Sequence, residues 1–260
     1  MHRLIVLGVG MTLMLASTSC SGPSASAPAA TVTVSASPSA SSAKAAAAPD
    51  ETWSDTVAFV NAVLEDDYGT ARTYVSPKST AARYLDYHQA FIKAHKVNGV
   101  ELPTAPATTA APNEVKRVIS LVEGTRTVTT WTKFEYDQNG KILTWVGRKP
   151  LNQTIATKVT TGKGLGQKLT LLGASAQSDG NLYVVVEVSA SRNATVDQAP
   201  AYVAQDGLRR TASGWVAPSE IEGGTKAIAL YVFDETGLGG TLSYQTFAGD
   251  QEGKLKLAVG

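Results

Sequence analysis

The chain has 260 residues, 43% of them hydrophobic, with 23 Lys and Arg against 22 Asp and Glu. So even a balance, without a basic block, lacks the cationic footprint that neutralises phosphates, and nucleic-acid binding is set aside. Its one cysteine, Cys20, excludes an internal disulfide and a multi-cysteine zinc site, so stability has to come from packed cores.

Met1, His2 and Arg3 form a small positive head, residues 4–16 an apolar run too short to span a bilayer, and Ser17-Thr18-Ser19 a small-residue cleavage site. This pattern predicts an export signal over residues 1–19. Arg3 is its only formal charge, so its removal leaves 22 positive against 22 negative residues. Residues 21–49 are almost entirely Ser, Ala, Pro, Thr, Gly and Val, with Lys44 as the sole charge. Such a segment buries too little apolar surface to offset its chain entropy and is expected to act as a disordered tether, with an average span of about 30 Å.

Leu15-Ala16-Ser17-Thr18-Ser19-Cys20 resembles the lipobox of bacterial lipoproteins, with Ser17 where that family usually carries Leu, Val or Ile. The resemblance implies diacylation of Cys20 and attachment to the outer face of the cell membrane, leaving no thiol for nucleophilic chemistry. The alternative is a secreted protein that loses Cys20 with its leader.

The folded part is expected from residue 51. Ser54 and Asp55 suit a helix start, followed by Val57, Val60 and Leu64 at helical spacing. Residues 70–75 predict a short second turn ended by Pro77. Ser79 predicts the cap of another helix that closes at Asn98-Gly99, with Ala81, Tyr84 or Leu85, His88, Phe91 or Ile92, and His95 along one stripe. Residues 102–112 read as a loop. After it, 114–122, 125–136 and 141–146 are rich in Val, Thr, Ile and aromatics, predicting a three-stranded meander with turns at Glu123-Gly124 and Asp137-Gln138-Asn139-Gly140.

Ala58-Phe59-Val60-Asn61-Ala62-Val63-Leu64, Asp66-Asp67-Tyr68, Ala71, Tyr74, Ser76-Pro77 and Tyr136-Asp137-Gln138-Asn139-Gly140-Lys141-Ile142 together resemble the nuclear-transport-factor-like (cystatin-like) folds. The resemblance covers residues 51–148 and implies an α+β cone, a curved antiparallel sheet wrapped around a long helix. That family holds isomerases, hydrolases, ligand carriers and non-catalytic spacers, so the fold alone selects no function.

Past residue 151 the pattern turns to strands, expected over 168–176, 182–190, 202–205, 225–234, 241–246 and 254–258 and divided by Gly- and Asp-rich turns. Their spacing over 155–260 resembles the immunoglobulin-like domains attached to Gram-positive lipoproteins, implying an all-β sandwich that serves as an extracytoplasmic interaction module. Gly147-Arg148-Lys149-Pro150 reads as the joint between the two domains, stiff or hinged.

Candidate chemistry is sparse. His88 and His95 lie two helical turns apart, about 10.5 Å of rise, too far to share a metal ion. With Asp86, Tyr84 or Tyr87, either imidazole could line a cone pocket as an acid-base group; the competing reading is a histidine packed between helix and sheet. Glu65-Asp66-Asp67 reads as a solvated face. Gly162-Lys163-Gly164-Leu165-Gly166-Gln167-Lys168 lacks the spacing of a phosphate-binding loop and reads as a strand connection. Trp131 and Trp145 are binding candidates on meander strands and Trp215 one in a loop, against the plainer reading that all three are core. The sequence therefore predicts a membrane-anchored, non-catalytic module that needs no cofactor or metal and binds an envelope protein or small ligand. A carrier or enzyme using His88, His95 and Asp86, or a pure spacer, are the alternatives.

Overall fold

The computed structural model describes residues 50–102, 106–248 and 251–260, which belong to one compact unit. The expected leader, Cys20 and tether lie outside the described residues. The fold is mixed α+β, with few helices and several antiparallel sheets.

Helix α1 (Asp50–Leu64) begins before Ser54, which stands inside it instead of capping it. Trp53, Thr56, Phe59, Val60 and Val63 make its buried side at the three-to-four spacing of an amphipathic helix. Asp67 caps α2 (Tyr68–Arg72), its carboxylate accepting the Thr70 amide at 3.0 Å. The Thr70 hydroxyl, then its amide, hold the Asp67 carboxyl below its ordinary range. Asp66 turns the chain with φ of 57° and accepts the Tyr68 hydroxyl at 2.8 Å. Part of the acidic run thus makes the corner between α1 and α2. As the sequence predicts, Ser79 caps α3 (Thr80–Val97), Oγ accepting the Ala82 amide at 3.0 Å, and Asn98 closes it.

The expected loop at 102–112 is in part a strand. β1 (Thr108–Asn113) pairs antiparallel with β2 (Val118–Glu123), and β3 (Arg126–Tyr136) and β4 (Ile142–Val146) complete a sheet of order β1-β2-β3-β4. None of the β1 residues is fully buried, so Thr-Thr-Ala-Ala-Pro-Asn carries no apolar alternation by which to find it. The turn at 137–140 is a hairpin, as expected: the Asp137 carboxylate accepts the amides of Asn139 at 2.8 Å and Lys141 at 3.0 Å, and Gly140 has φ of 74°.

A 3-10 turn (Leu151–Gln153) leads to eleven further strands among the described residues. They are β5 (Thr161–Gly164), β6 (Gln167–Ala176), β7 (Leu182–Ala190), β8 (Ala194–Thr195), β9 (Ala201–Val203), β10 (Arg209–Thr211), β11 (Gly214–Val216), β12 (Glu220–Ile221), β13 (Lys226–Phe233), β14 (Gly240–Ala248) and β15 (Gln251–Val259). One sheet runs β11-β13-β7-β6-β5, a second β10-β9-β14-β15, and β12 pairs with β8. The six expected strands are β6, β7, β9, β13, β14 and β15. The others run two to four residues, too short for alternation to register. Trp215, expected in a loop, lies in β11 opposite Tyr231.

Between the two larger sheets lies an aliphatic core with Leu169, Val184, Val186, Leu242, Leu255 and Leu257 in its centre. The opposite face of the five-stranded sheet contributes Val185, Ile228 and Leu230 to the core beneath α3, together with Phe59, Leu85, Trp131 and Trp145. β7 is thus buried on both faces, which is why Leu-Tyr-Val-Val-Val-Glu-Val is nearly continuous in apolar residues. The boundary expected between 148 and 155 falls inside this shared core. Helix and sheet touch backbone to backbone at Gly173, where a Cβ would stand 2.8 Å from both Cα and Cβ of Tyr87.

Candidate functional site

Between α3, the β3–β4 side of the meander and the β6–β7 turn lies a cleft of about 610 Å³. Tyr84 and His88, one helical turn apart on α3, project to the same side of it. Trp131 comes from β3 and Trp145 from β4, set side by side by the pairing of Thr132 with Val146. The two indoles stack with centroids 4.7 Å apart and 28° between planes. Tyr84 meets Trp145 edge-on at 5.1 Å and His88 at 4.3 Å, while Phe59 backs Trp145 at 5.4 Å. Such edge and offset contacts hold aromatic rings in fixed orientations, so the floor is preorganised.

His88 is half-buried in area and surrounded by Tyr68, Tyr84 and Tyr87. Desolvation pushes its pKa down to about 4, the nearby Asp66 pulling weakly the other way. At neutral pH it is therefore an uncharged imidazole with one donor and one acceptor. Neither ring nitrogen, nor the Tyr84 hydroxyl, has a hydrogen-bond partner among the described residues. Burial first, then Asp66, raises the Tyr84 pKa, so the phenol keeps its proton. The rim is polar and cationic: Arg148, Lys149, Gln153 and Gln177 border the opening. Arg148 is steadied by an Nη2 hydrogen bond to the Val128 carbonyl at 3.2 Å, and Lys149 is exposed.

Of the residues singled out in the sequence, His88, Tyr84, Trp131 and Trp145 come together here, the two tryptophans as core residues only 7% and 2% exposed, as the plainer reading has it. His95 does not: it is 6% exposed, lies 4.5 Å from the Phe91 ring and places Nδ1 3.0 Å from the Phe91 carbonyl, as a packed core histidine does. Asp86 is also elsewhere, held by Arg72 at 2.5 Å and Arg83 at 2.8 Å and lining a separate groove, so it is not a partner for His88. Trp215 is 47% exposed on a sheet edge and does not line the cleft, so it is neither core nor part of this site. Cys20 lies outside the described residues. Sequence reasoning missed the rim: Arg148 and Lys149 read as a joint, and a loop's role in a cleft has no periodic signal. The juxtaposition of two cations with a non-helical Gly-Arg-Lys-Pro turn was the available hint.

Among the described residues no group of three or more His, Cys, Asp or Glu side chains could hold a metal ion, and no helix is long and apolar enough to cross a membrane. The cleft thus sets a neutral donor–acceptor pair above buried aromatic rings, with positive charge at its mouth. Compared with protein-family models, curated proteins and solved structures, the chain has no match in any of the three.

Proposed function

We propose that this protein is a lipid-anchored extracytoplasmic binding module whose cleft takes a small amphipathic anion. The ligand class has a flat apolar body against Tyr84 and Val128, a polar group that pairs with His88, and negative charge toward Arg148 and Lys149. The observation that carries this reading is the set of unpartnered polar atoms of His88 and Tyr84 facing a preformed aromatic cleft of about 610 Å³. Binding is favoured over catalysis because both nearby carboxylates are committed, Asp86 to two arginines and Asp66 to the Tyr68 hydroxyl.

The anchoring half of the reading rests on Cys20 after its apolar leader. Helices beside a four-stranded antiparallel sheet support the nuclear-transport-factor-like reading, and the two facing sheets support the immunoglobulin-like one.

The cleft is tested by titration with 1-anilinonaphthalene-8-sulfonate, a fluorescent aromatic anion. One saturable site is expected, weakened at least fivefold by Arg148→Gln with Lys149→Gln and by His88→Leu, while the uncharged 1-anilinonaphthalene ignores the rim change. Unsaturable binding, or binding indifferent to all these variants, contradicts the proposal. The anchor is tested by intact mass of membrane-extracted protein beside Cys20→Ala: an acyl increment on a membrane-bound form, abolished in the variant, is expected, and an unmodified chain in the medium contradicts it.

A further inference from the structure

The outer face of the five-stranded sheet is covered by α3 at one end only. There Tyr183, Val185, Ile228 and Leu230 pack beneath the helix. Two rungs further along the same face, the register aligns Lys163 of β5 with Lys168 of β6, Lys168 with Ser189 of β7, and Ser189 with Lys226 of β13. Adjacent strands are about 4.8 Å apart, so three lysines stand in one row across roughly 15 Å. All three are exposed and line one open recess of about 460 Å³.

The row is neutralised only at Lys226. Lys226 pairs with Glu187 at 2.9 Å, but Lys163 and Lys168 have no carboxylate partner among the described residues. Directly opposed like charges on an antiparallel pair are unfavourable, so this pair is held at a cost to the fold. The hairpin that carries it is a tight two-residue turn with φ of 47° at Leu165 and 76° at Gly166. Gly162 and Gly164 lie against β15, where a Cβ would come within 2.8 Å of the Lys256 carbonyl and the Leu255 side chain. That contact seats the hairpin on the sandwich and directs Lys163 outward. The Gly-Lys-Gly-Leu-Gly-Gln-Lys segment, unable to cradle a single phosphate at a helix end, therefore presents a rigid basic ledge.

We infer that this ledge, Lys163, Lys168 and Lys226, is a docking surface for the anionic headgroups of a phospholipid leaflet. Charge complementarity selects the occupant. A row of flexible ammonium groups on a flat, open sheet end matches a plane of negative charges better than it encloses a discrete ligand. A protein held at a membrane by Cys20 meets that plane at high local concentration, but the docking depends on the lysines and stands without the acyl chain or the cleft.

The test uses the chain from residue 20 onward with Cys20→Ser, so that no lipid contributes. Co-sedimentation is measured with vesicles of phosphatidylcholine alone and of phosphatidylcholine with phosphatidylglycerol, at low and physiological salt. Binding to the anionic vesicles is expected to be at least tenfold stronger and to fall with salt. Lys163→Gln with Lys168→Gln is expected to weaken it about tenfold or more, with unchanged or slightly raised thermal stability because the opposed charges are gone. Lys116→Gln with Lys133→Gln, exposed lysines on the meander, leaves it unchanged. Equal binding to both vesicle types, an unaffected ledge variant, or an equal loss in the meander variant would each overturn the inference. So would ledge-dependent binding of inorganic polyphosphate by a protein that ignores the vesicles.

Discussion

The tyrosines of the sandwich and the Tyr84–His88 pair under α3 treat their polar atoms in opposite ways. In the sandwich, each tyrosine hydroxyl has partners: Tyr202 donates to the Gly237 carbonyl at 2.7 Å and accepts the Gly240 amide at 2.7 Å, Tyr231 donates to the Asp197 carbonyl at 2.7 Å, and Tyr244 accepts the Asp197 amide at 3.0 Å. Under α3, Tyr84 and His88 have no such partners among the described residues and face a cleft. The sandwich hydroxyls are committed to fixed partners, whereas Tyr84 and His88 keep unused hydrogen-bonding capacity at an opening. That difference locates the candidate site more directly than the count of aromatic residues, since both cores contain tyrosines.

The comparison is sharpened first at Gly173, where the two cores share a wall. Gly173→Val drives a side chain into the Tyr87 backbone and is expected to cost about 3 kcal/mol, seen as a lower midpoint in urea. Next, Tyr202→Phe strands the Gly240 amide and the Gly237 carbonyl and should cost about 2 kcal/mol by the same measurement. A third expectation concerns pH. Desolvation lowers the His88 pKa in the folded state from 6.5 to about 4, so the unfolded chain binds the extra proton first as pH falls. The stability tied to neutral His88 is complete above about pH 6.5 and is lost between there and pH 4, by about 1 to 2 kcal/mol allowing for its partial exposure. His88→Phe should flatten that part of the profile. Asp67 and Asp137, whose carboxyls are held low by the hydroxyls of Thr70 and Ser76 first and by backbone amides after them, act below that window. Smallest is Tyr84→Phe, expected to change stability by less than about 0.5 kcal/mol because no bond is broken. A Tyr84→Phe cost equal to that of Tyr202→Phe would remove the distinction between the cores.

Much of the fold was legible from local signals with a physical cause. Ser79 and Asn98 bracket α3 because capping chemistry is written in single residues, and the long strands β6, β7 and β13 alternate or stay apolar over enough positions to register. β1 escaped because its side chains meet little of the core, and β11 because three residues hold no period. Within the site, the helical spacing of Tyr84 and His88 was visible. What separates His88 from His95 was not: both sit on one stripe, yet His95 is buried against Phe91 while His88 lies at an opening. The rim residues Arg148 and Lys149 join the site through a turn whose position depends on the β4 pairing and the 3-10 turn after it.

The central claim is that the cleft over His88 binds a small aromatic anion, and His95 is a built-in control two turns along the same helix. In protein labelled with ¹⁵N-histidine, titration with 1-anilinonaphthalene-8-sulfonate is expected to shift the His88 imidazole resonances saturably and leave those of His95 in place. Equal movement of both, or none at saturating concentration, would contradict the account.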